Sequence, residues 1–170
     1  MIPQFNERYM KKRMHIAWRG PIIANAIVSA IRPTSVLDMG CATGDYAAAI
    51  NDMGILVLGL DSSPDAGQCL HRDHYMEWDL MEPPPIGADL VILLEVLSVV
   101  EDPETILDNA AGAAIKYLLV NRHPWLPQNF VPDRLMTERL KHGLRPWANT
   151  QAIKALYNTG EVLKRIESEE

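Results

Sequence analysis

Four residues of this chain have the types and spacing of a small-molecule site: Asp38, Gly40, Gly44 and Asp61. Asp38-Met-Gly40-Cys-Ala42-Thr-Gly44 follows a short apolar run, and Asp61 closes a second apolar run after a helix-like segment. Gly40 and Gly44 carry no Cβ, so the chain can turn sharply there and a ligand can touch bare backbone. An acid at the end of the second run stands where a ribose hydroxyl pair needs a carboxylate acceptor. The plain alternative is a glycine-shaped strand-to-helix turn that holds nothing.

Charge narrows the ligand. A nicotinamide dinucleotide lays its pyrophosphate on a helix N-terminus, where N–H groups and the dipole attract anions. Here Asp45 opens the helix and repels phosphate, and the third glycine of G-x-G-x-x-G is missing at position 45. This disfavours a nicotinamide oxidoreductase. The turn resembles the cofactor motif of class I S-adenosylmethionine-dependent methyltransferases, acid-x-Gly-x-Gly-x-Gly, with Ala42 in place of the middle glycine. S-adenosylmethionine has no phosphate and carries a sulfonium and an ammonium, which suit Asp38 and Asp45.

Two further segments are similar to that family. Glu77-Trp78-Asp79-Leu80 resembles the stretch after strand three. The resemblance implies that Asp79 accepts from the adenine amino group, Leu80 N–H faces the ring edge and Trp78 packs nearby; a loop-capping acid is the alternative for Asp79. The run from Ala88 to Pro103 resembles the strand-four region, where the backbone of Leu94 or Glu95 sits by the methionine end of the cofactor. The family often reads Glu-Val-Leu-Glu-His there, whereas this chain reads Glu95-Val-Leu-Ser98-Val99 and lacks the Glu-His pair. The cofactor-binding set implied is Asp38, Gly40, Cys41, Ala42, Gly44, Tyr46, Asp61, Ser62, Trp78, Asp79, Leu80, Leu94 and Glu95.

The elements that must position these residues follow from periodicity and breakers. A basic helix is predicted over 4–14 and a second helix over 20–31, ended by Pro33. Strands are predicted over 36–39, 56–60, 75–78, 89–94 and 117–120, with helices over 45–53 and 104–114. Residues 62–71 have room for one or two helical turns. Helices over 133–141 and 150–158 and a sixth strand over 162–166 complete the reading. The strands at 36–39 and 56–60 are apolar on both faces, as in a parallel sheet covered on both sides. The fold class is therefore α/β: a doubly wound, mainly parallel, Rossmann-like sheet with helices on both faces; against the family it resembles, the last strand is missing or the C-terminus is truncated. Residues 1–170 form one domain, with N-terminal helices in 1–33, a cofactor-binding core in 34–120 and an acceptor-side part in 121–170. Asp38, Asp61, Asp79, Glu95 and Asn121 each follow one strand, so all fall at the carboxyl edge of the sheet.

Composition removes other classes. The formal net charge is -6, against a general nucleic-acid binder. Arg8, Lys11, Lys12, Arg13 and Arg19 form a local basic cluster, read as a solvated helix face. No apolar run reaches the ~20 residues of a membrane span. Two cysteines cannot make a disulfide framework, which points to the reducing cytoplasm. Cys69-x-His71-x-x-His74 has ligand types on one short segment only, so no metal is expected. An unpaired sheet edge favours a homodimer or a covering loop.

Methyl transfer from a sulfonium needs the acceptor lone pair aligned and water excluded, so no universal catalytic residue exists. Asn121-Arg122-His123-Pro124-Trp125 follows the fifth strand and is the best acceptor-side cluster, with His123 as the base. Tyr9, Trp18 and Arg19 belong to helices that form a lid in the family. The reading is an S-adenosylmethionine-dependent methyltransferase that releases S-adenosylhomocysteine and acts on a small-molecule O or N acceptor. The alternative is a catalytically inactive subunit that binds the cofactor or its product.

Overall fold

The structure is a computed structural model and describes residues 6–97 and 99–120. Two helices lead in: α1 (Glu7–Met14) and α2 (Gly20–Ile31), joined through a 3-10 turn at Ala17–Arg19. Asn6 caps α1 by accepting from the N–H groups of Arg8 and Tyr9. Pro21 fits the first turn of α2, where a missing N–H costs nothing. The core then runs β1 (Ser35–Met39), α3 (Asp45–Asp52), β2 (Leu56–Asp61), β3 (Tyr75–Glu77), β4 (Ala88–Leu93), α4 (Pro103–Ala113) and β5 (Ala114–Val120).

The five strands form one parallel sheet in the order β3-β2-β1-β4-β5. Alternation along each strand builds two cores. Val36, Val57, Leu90, Ile92 and Leu119 pack with Ala24 and Ile27 of α2 and Ala47 and Ile50 of α3. Leu37, Met39, Leu60, Val91 and Leu93 pack on the opposite side with Ile106, Leu107 and Ala110 of α4. A period of two thus sends adjacent residues to opposite faces, each covered by helix. Burying one such aliphatic side chain contributes about 1.5–3 kcal/mol. The order reverses between β1 and β4, which opens a crevice at the carboxyl ends of these strands.

Two elements differ from the sequence expectation. Residues 62–71 form no helix. Gly67 N–H donates to Ala42 O at 2.7 Å and Cys69 N–H to Thr43 O at 2.8 Å, so the segment is bonded to the glycine turn instead. A 3-10 turn at Arg72–His74 then leads into β3. β5 also begins earlier than expected, because Ala114 pairs with Ala88 as soon as α4 ends. The residues 133–141, 150–158 and 162–166 lie outside the described residues.

At the amino end of the sheet, Asp89 ties three segments together. It accepts from Thr34 N–H and Thr34 Oγ1 and pairs with Lys116 Nζ at 2.9 Å. Among the described residues, no helix is long and apolar enough to cross a membrane.

Candidate cofactor site

The glycine turn is built by β1 and held by β2. Gly40 N–H and Cys41 N–H both donate to Leu60 O, at 2.7 and 3.0 Å. Gly40 and Gly44 take φ of +79° and +76°, where a side chain is strained. A Cβ on Gly40 would collide with Val96 Cγ2, and one on Gly44 would lie 2.7 Å from Leu70 Cδ1. The missing side chains make room for Val96 and Leu70, so these glycines also let the protein pack on its own turn. Ala42, in the place of the middle glycine, is also left-handed at φ +49°.

Asp61 stands at the end of β2 and faces the same turn. Its Oδ2 accepts from Ala42 N–H and its Oδ1 from Ser63 N–H, each at 2.9 Å. Burial raises its pKa, while the N–H groups of Ser63, Ala42 and Ser62 lower it. A carboxylate offers about four lone-pair sites. Asp61 thus shapes the turn and keeps acceptor capacity for a hydroxyl.

Asp38 lies deeper, only 3% exposed. Among the described residues, two buried side-chain polar atoms have no hydrogen-bond partner: Asp38 Oδ2 and Arg13 Nε. One is an acceptor on an acid and the other a donor on a cation. Arg13 comes from α1 and lies 3.9 Å from Asp45 Oδ1, which also accepts from Thr43 Oγ1 at 2.7 Å. Tyr46 hydrogen-bonds Arg13, and burial raises the pKa of its phenol. Burial likewise pushes the Cys41 thiol up. Arg13 therefore departs from the solvated face that its charge pattern predicts. Its helical position gave no sign of this role, because the contact joins α1 to α3 across 32 residues of chain.

An open cavity of about 890 Å³ lies beyond the ends of β2 and β3. Its walls include Ser62, Trp78, Asp79 and Leu80 from the sequence set. Val100, Glu101, Asp102 and Ile106 also line it and were not anticipated. The signal for them was Asp102-Pro103, which starts α4 beside this wall: Asp102 caps the helix by accepting from Thr105 N–H at 3.0 Å. Asp79 Oδ1 accepts from Met81 N–H at 3.0 Å. Loop capping therefore occupies one oxygen of Asp79 and leaves the carboxylate with further acceptor sites. Trp78 Nε1 donates to Glu82 O at 3.3 Å, which sets the ring against the wall.

After β4 the chain turns at Glu95, whose φ is +61°. The Leu94 side chain is buried in the α2–α3 core, the Glu95 side chain is exposed, and Val96 is buried under Gly40. Trp18 is 64% exposed, with the Arg19 guanidinium 5.4 Å over its ring. Cys69 Sγ contacts Met14 Sδ at 3.6 Å and His74 Nδ1 contacts Val57 O at 3.0 Å. No group of three His, Cys, Asp or Glu among the described residues is disposed to hold a metal. His123 lies outside the described residues.

A parallel sheet of this order, with an acid-glycine turn at its switch point, matches a family model described as a methyltransferase domain over residues 9–118. The chain belongs to the methyltransferase domain family. Among solved structures, the methyltransferase domain is similar to magnesium protoporphyrin IX methyltransferase from Synechocystis PCC 6803 with bound S-adenosylmethionine. The identity is 19% and the TM-score 0.56, covering 79% of this chain and 73% of that one. It is also similar to the N-methyltransferase NodS from Bradyrhizobium japonicum WM9 in complex with S-adenosylhomocysteine, at 21% identity and TM-score 0.50, covering 60% and 59%. Human N-acetylserotonin methyltransferase in complex with S-adenosylmethionine matches at 20% identity and TM-score 0.53, covering 76% and 43%. The chain thus spans less than two thirds of the length of two of these three proteins. No curated protein matches the chain by sequence. The fold class is the class I, Rossmann-like methyltransferase core, and the cofactor of that family is S-adenosylmethionine.

Proposed function

We propose that this chain transfers a methyl group from S-adenosylmethionine to an O or N atom of a small molecule. The observation that carries the reading is the pair of unpartnered buried atoms at the glycine turn, Asp38 Oδ2 and Arg13 Nε. An open acceptor on an acid, and an open N–H on a guanidinium that also meets Asp45 and Tyr46, suit an α-amino acid, whose ammonium seeks Asp38 and whose carboxylate seeks Arg13. A dinucleotide has no such end. Asp61 is the acceptor for the ribose, while Trp78, Asp79 and Leu80 receive the adenine in the cavity they line. Ser62, Cys41, Ala42 and Tyr46 complete the wall of the turn.

The bound cofactor supplies an electrophilic methyl on a sulfonium. The chain's residues hold the acceptor in line with it and exclude water. Leu94 and Glu95 follow β4 at the carboxyl edge, and the backbone of one of them is proposed to sit by the methionine end of the cofactor. His123 follows β5 by three residues and is proposed as the base where the acceptor proton is tightly held. We propose one domain with N-terminal helices in 1–33, a cofactor core in 34–120 and an acceptor-side part in 121–170.

The missing Glu-His pair after Glu95 favours a second reading, a cofactor-binding subunit without activity. Calorimetry with S-adenosylmethionine and S-adenosylhomocysteine, followed by mass spectrometry on a panel of phenols, amines and hydroxy acids, separates the two. A methylated product supports the enzyme. Binding with no product across the panel supports the inactive subunit. No binding of either compound sinks both.

A further inference from the structure

Asp38 is an ill-solvated acid in a place where a charge is wanted. It sits on β1 with 3% exposure, and one of its oxygens has no donor. The groups that act on it come from each element packed around it. Asp45 of α3 and Asp61 of β2 oppose its charge, and Arg13 of α1 favours it. The neighbouring Cys41 thiol is buried and neutral, and Tyr46 is held by Arg13. Two carboxylates and one guanidinium thus surround a buried acid. Among the described residues, no histidine acts on Asp38.

We infer that the turn holds the amino-acid end of its cofactor only when Asp38 is ionised, so that cofactor capture expels a proton from the free protein. The inference rests on the methyltransferase reading above. In the free protein, burial first, then Asp45 and Asp61, raise the pKa of Asp38 to about 7. Near neutrality, Asp38 is therefore divided between its acid and its carboxylate. An ammonium placed against Oδ2 favours the carboxylate and makes a charge-assisted hydrogen bond. The proton leaves for solvent, and the site exchanges it for the cation. Apparent affinity is the intrinsic affinity scaled by the competent fraction. It should rise with pH as that fraction grows and level off above neutrality.

The test is calorimetry of the full chain with S-adenosylhomocysteine, which has the same amino-acid end and does not react. Titrations at pH 5.5, 6.5 and 7.5 are run in two buffers of different ionisation enthalpy. The dissociation constant should fall by about tenfold to thirtyfold between pH 5.5 and 7.5. Below neutrality, the buffer-dependent heat should report close to one proton released per site. Asp38→Asn should bind more weakly at pH 7.5, show a flat pH profile and release no proton. Affinity independent of pH with no buffer-dependent heat overturns the inference and leaves the methyltransferase reading standing. An Asp38→Asn protein that keeps the parent's pH slope also overturns it. No binding at any pH overturns both. The parent titrations decide the matter even if the variant does not fold.

Discussion

Asp61 Oδ2 accepts the Ala42 backbone N–H at 2.9 Å, so the acid at the end of one strand holds the turn that leaves its neighbour. This bond couples the proposed ribose contact to the shape of the glycine turn. Asp61→Ala removes both at once. It should weaken S-adenosylhomocysteine binding by roughly tenfold to a hundredfold, since a hydrogen bond to a charged group is worth about 1.5–3 kcal/mol. It should also lower the thermal midpoint of the free protein. Unchanged affinity in calorimetry removes Asp61 from the site.

Gly40 and Val96 form a matched pair, because a Cβ at Gly40 would occupy the space of Val96 Cγ2. Gly40→Ala should destabilise by about 1–3 kcal/mol through overpacking and left-handed strain. Adding Val96→Ala should recover part of that loss and show coupling in a double-mutant cycle. Strictly additive effects in chemical denaturation would mean the two side chains do not compete for space.

Ala42 has a left-handed backbone at φ +49°, where an L side chain is unfavourable. Ala42→Gly relieves that strain but gives the unfolded chain more conformational entropy, which offsets part of the gain. The net expectation is a gain of about 0.5–1 kcal/mol, read as a raised urea midpoint at constant m-value. A destabilised variant would show that the Ala42 methyl contributes packing that outweighs the strain.

Asp38 should cost the free protein stability at neutral pH. Its folded pKa lies near 7 against 3.8 unfolded, so the native state binds the extra proton between these values. Its contribution is therefore fully present below about pH 4 and is lost as pH rises through about 7. Asp38→Asn should match the parent at pH 4 and exceed it by about 3–4 kcal/mol at pH 8, about three pKa units at 1.36 kcal/mol each. Equal stability of the two proteins at pH 8 would show that ionised Asp38 is satisfied without a ligand.

His123→Asn tests the proposed base. Turnover should fall while S-adenosylhomocysteine affinity is unchanged, and the parent rate should rise with pH as an imidazole loses its proton. A fully active variant, with a parent rate flat from pH 5 to 8, would leave alignment alone as the catalytic device.

The βαβ unit was legible from sequence because its signals are local. Apolar runs, a glycine turn and a short helical period fall within Ser35 to Asp61, and β1, α3 and β2 stand there. β4 announced itself in the same way through its apolar run from Leu90 to Leu93. Other features depend on residues far apart in the chain. Nothing in the neighbourhood of Arg13 says that α1 will carry it to Asp45. Nor does the stretch 62–71 reveal that its N–H groups will prefer Ala42 O and Thr43 O to a helix of its own. Sequence supplied the identities of the glycines, but only packing shows that Val96 and Leu70 fill the space they leave. The type and position of Asp38 are written in the chain, whereas its isolation is a property of the burial around it. Local order follows from backbone propensity and period, which a short window contains. Site electrostatics follow from which distant charges are brought together and how far water is excluded, and those are decided only when the chain closes on itself.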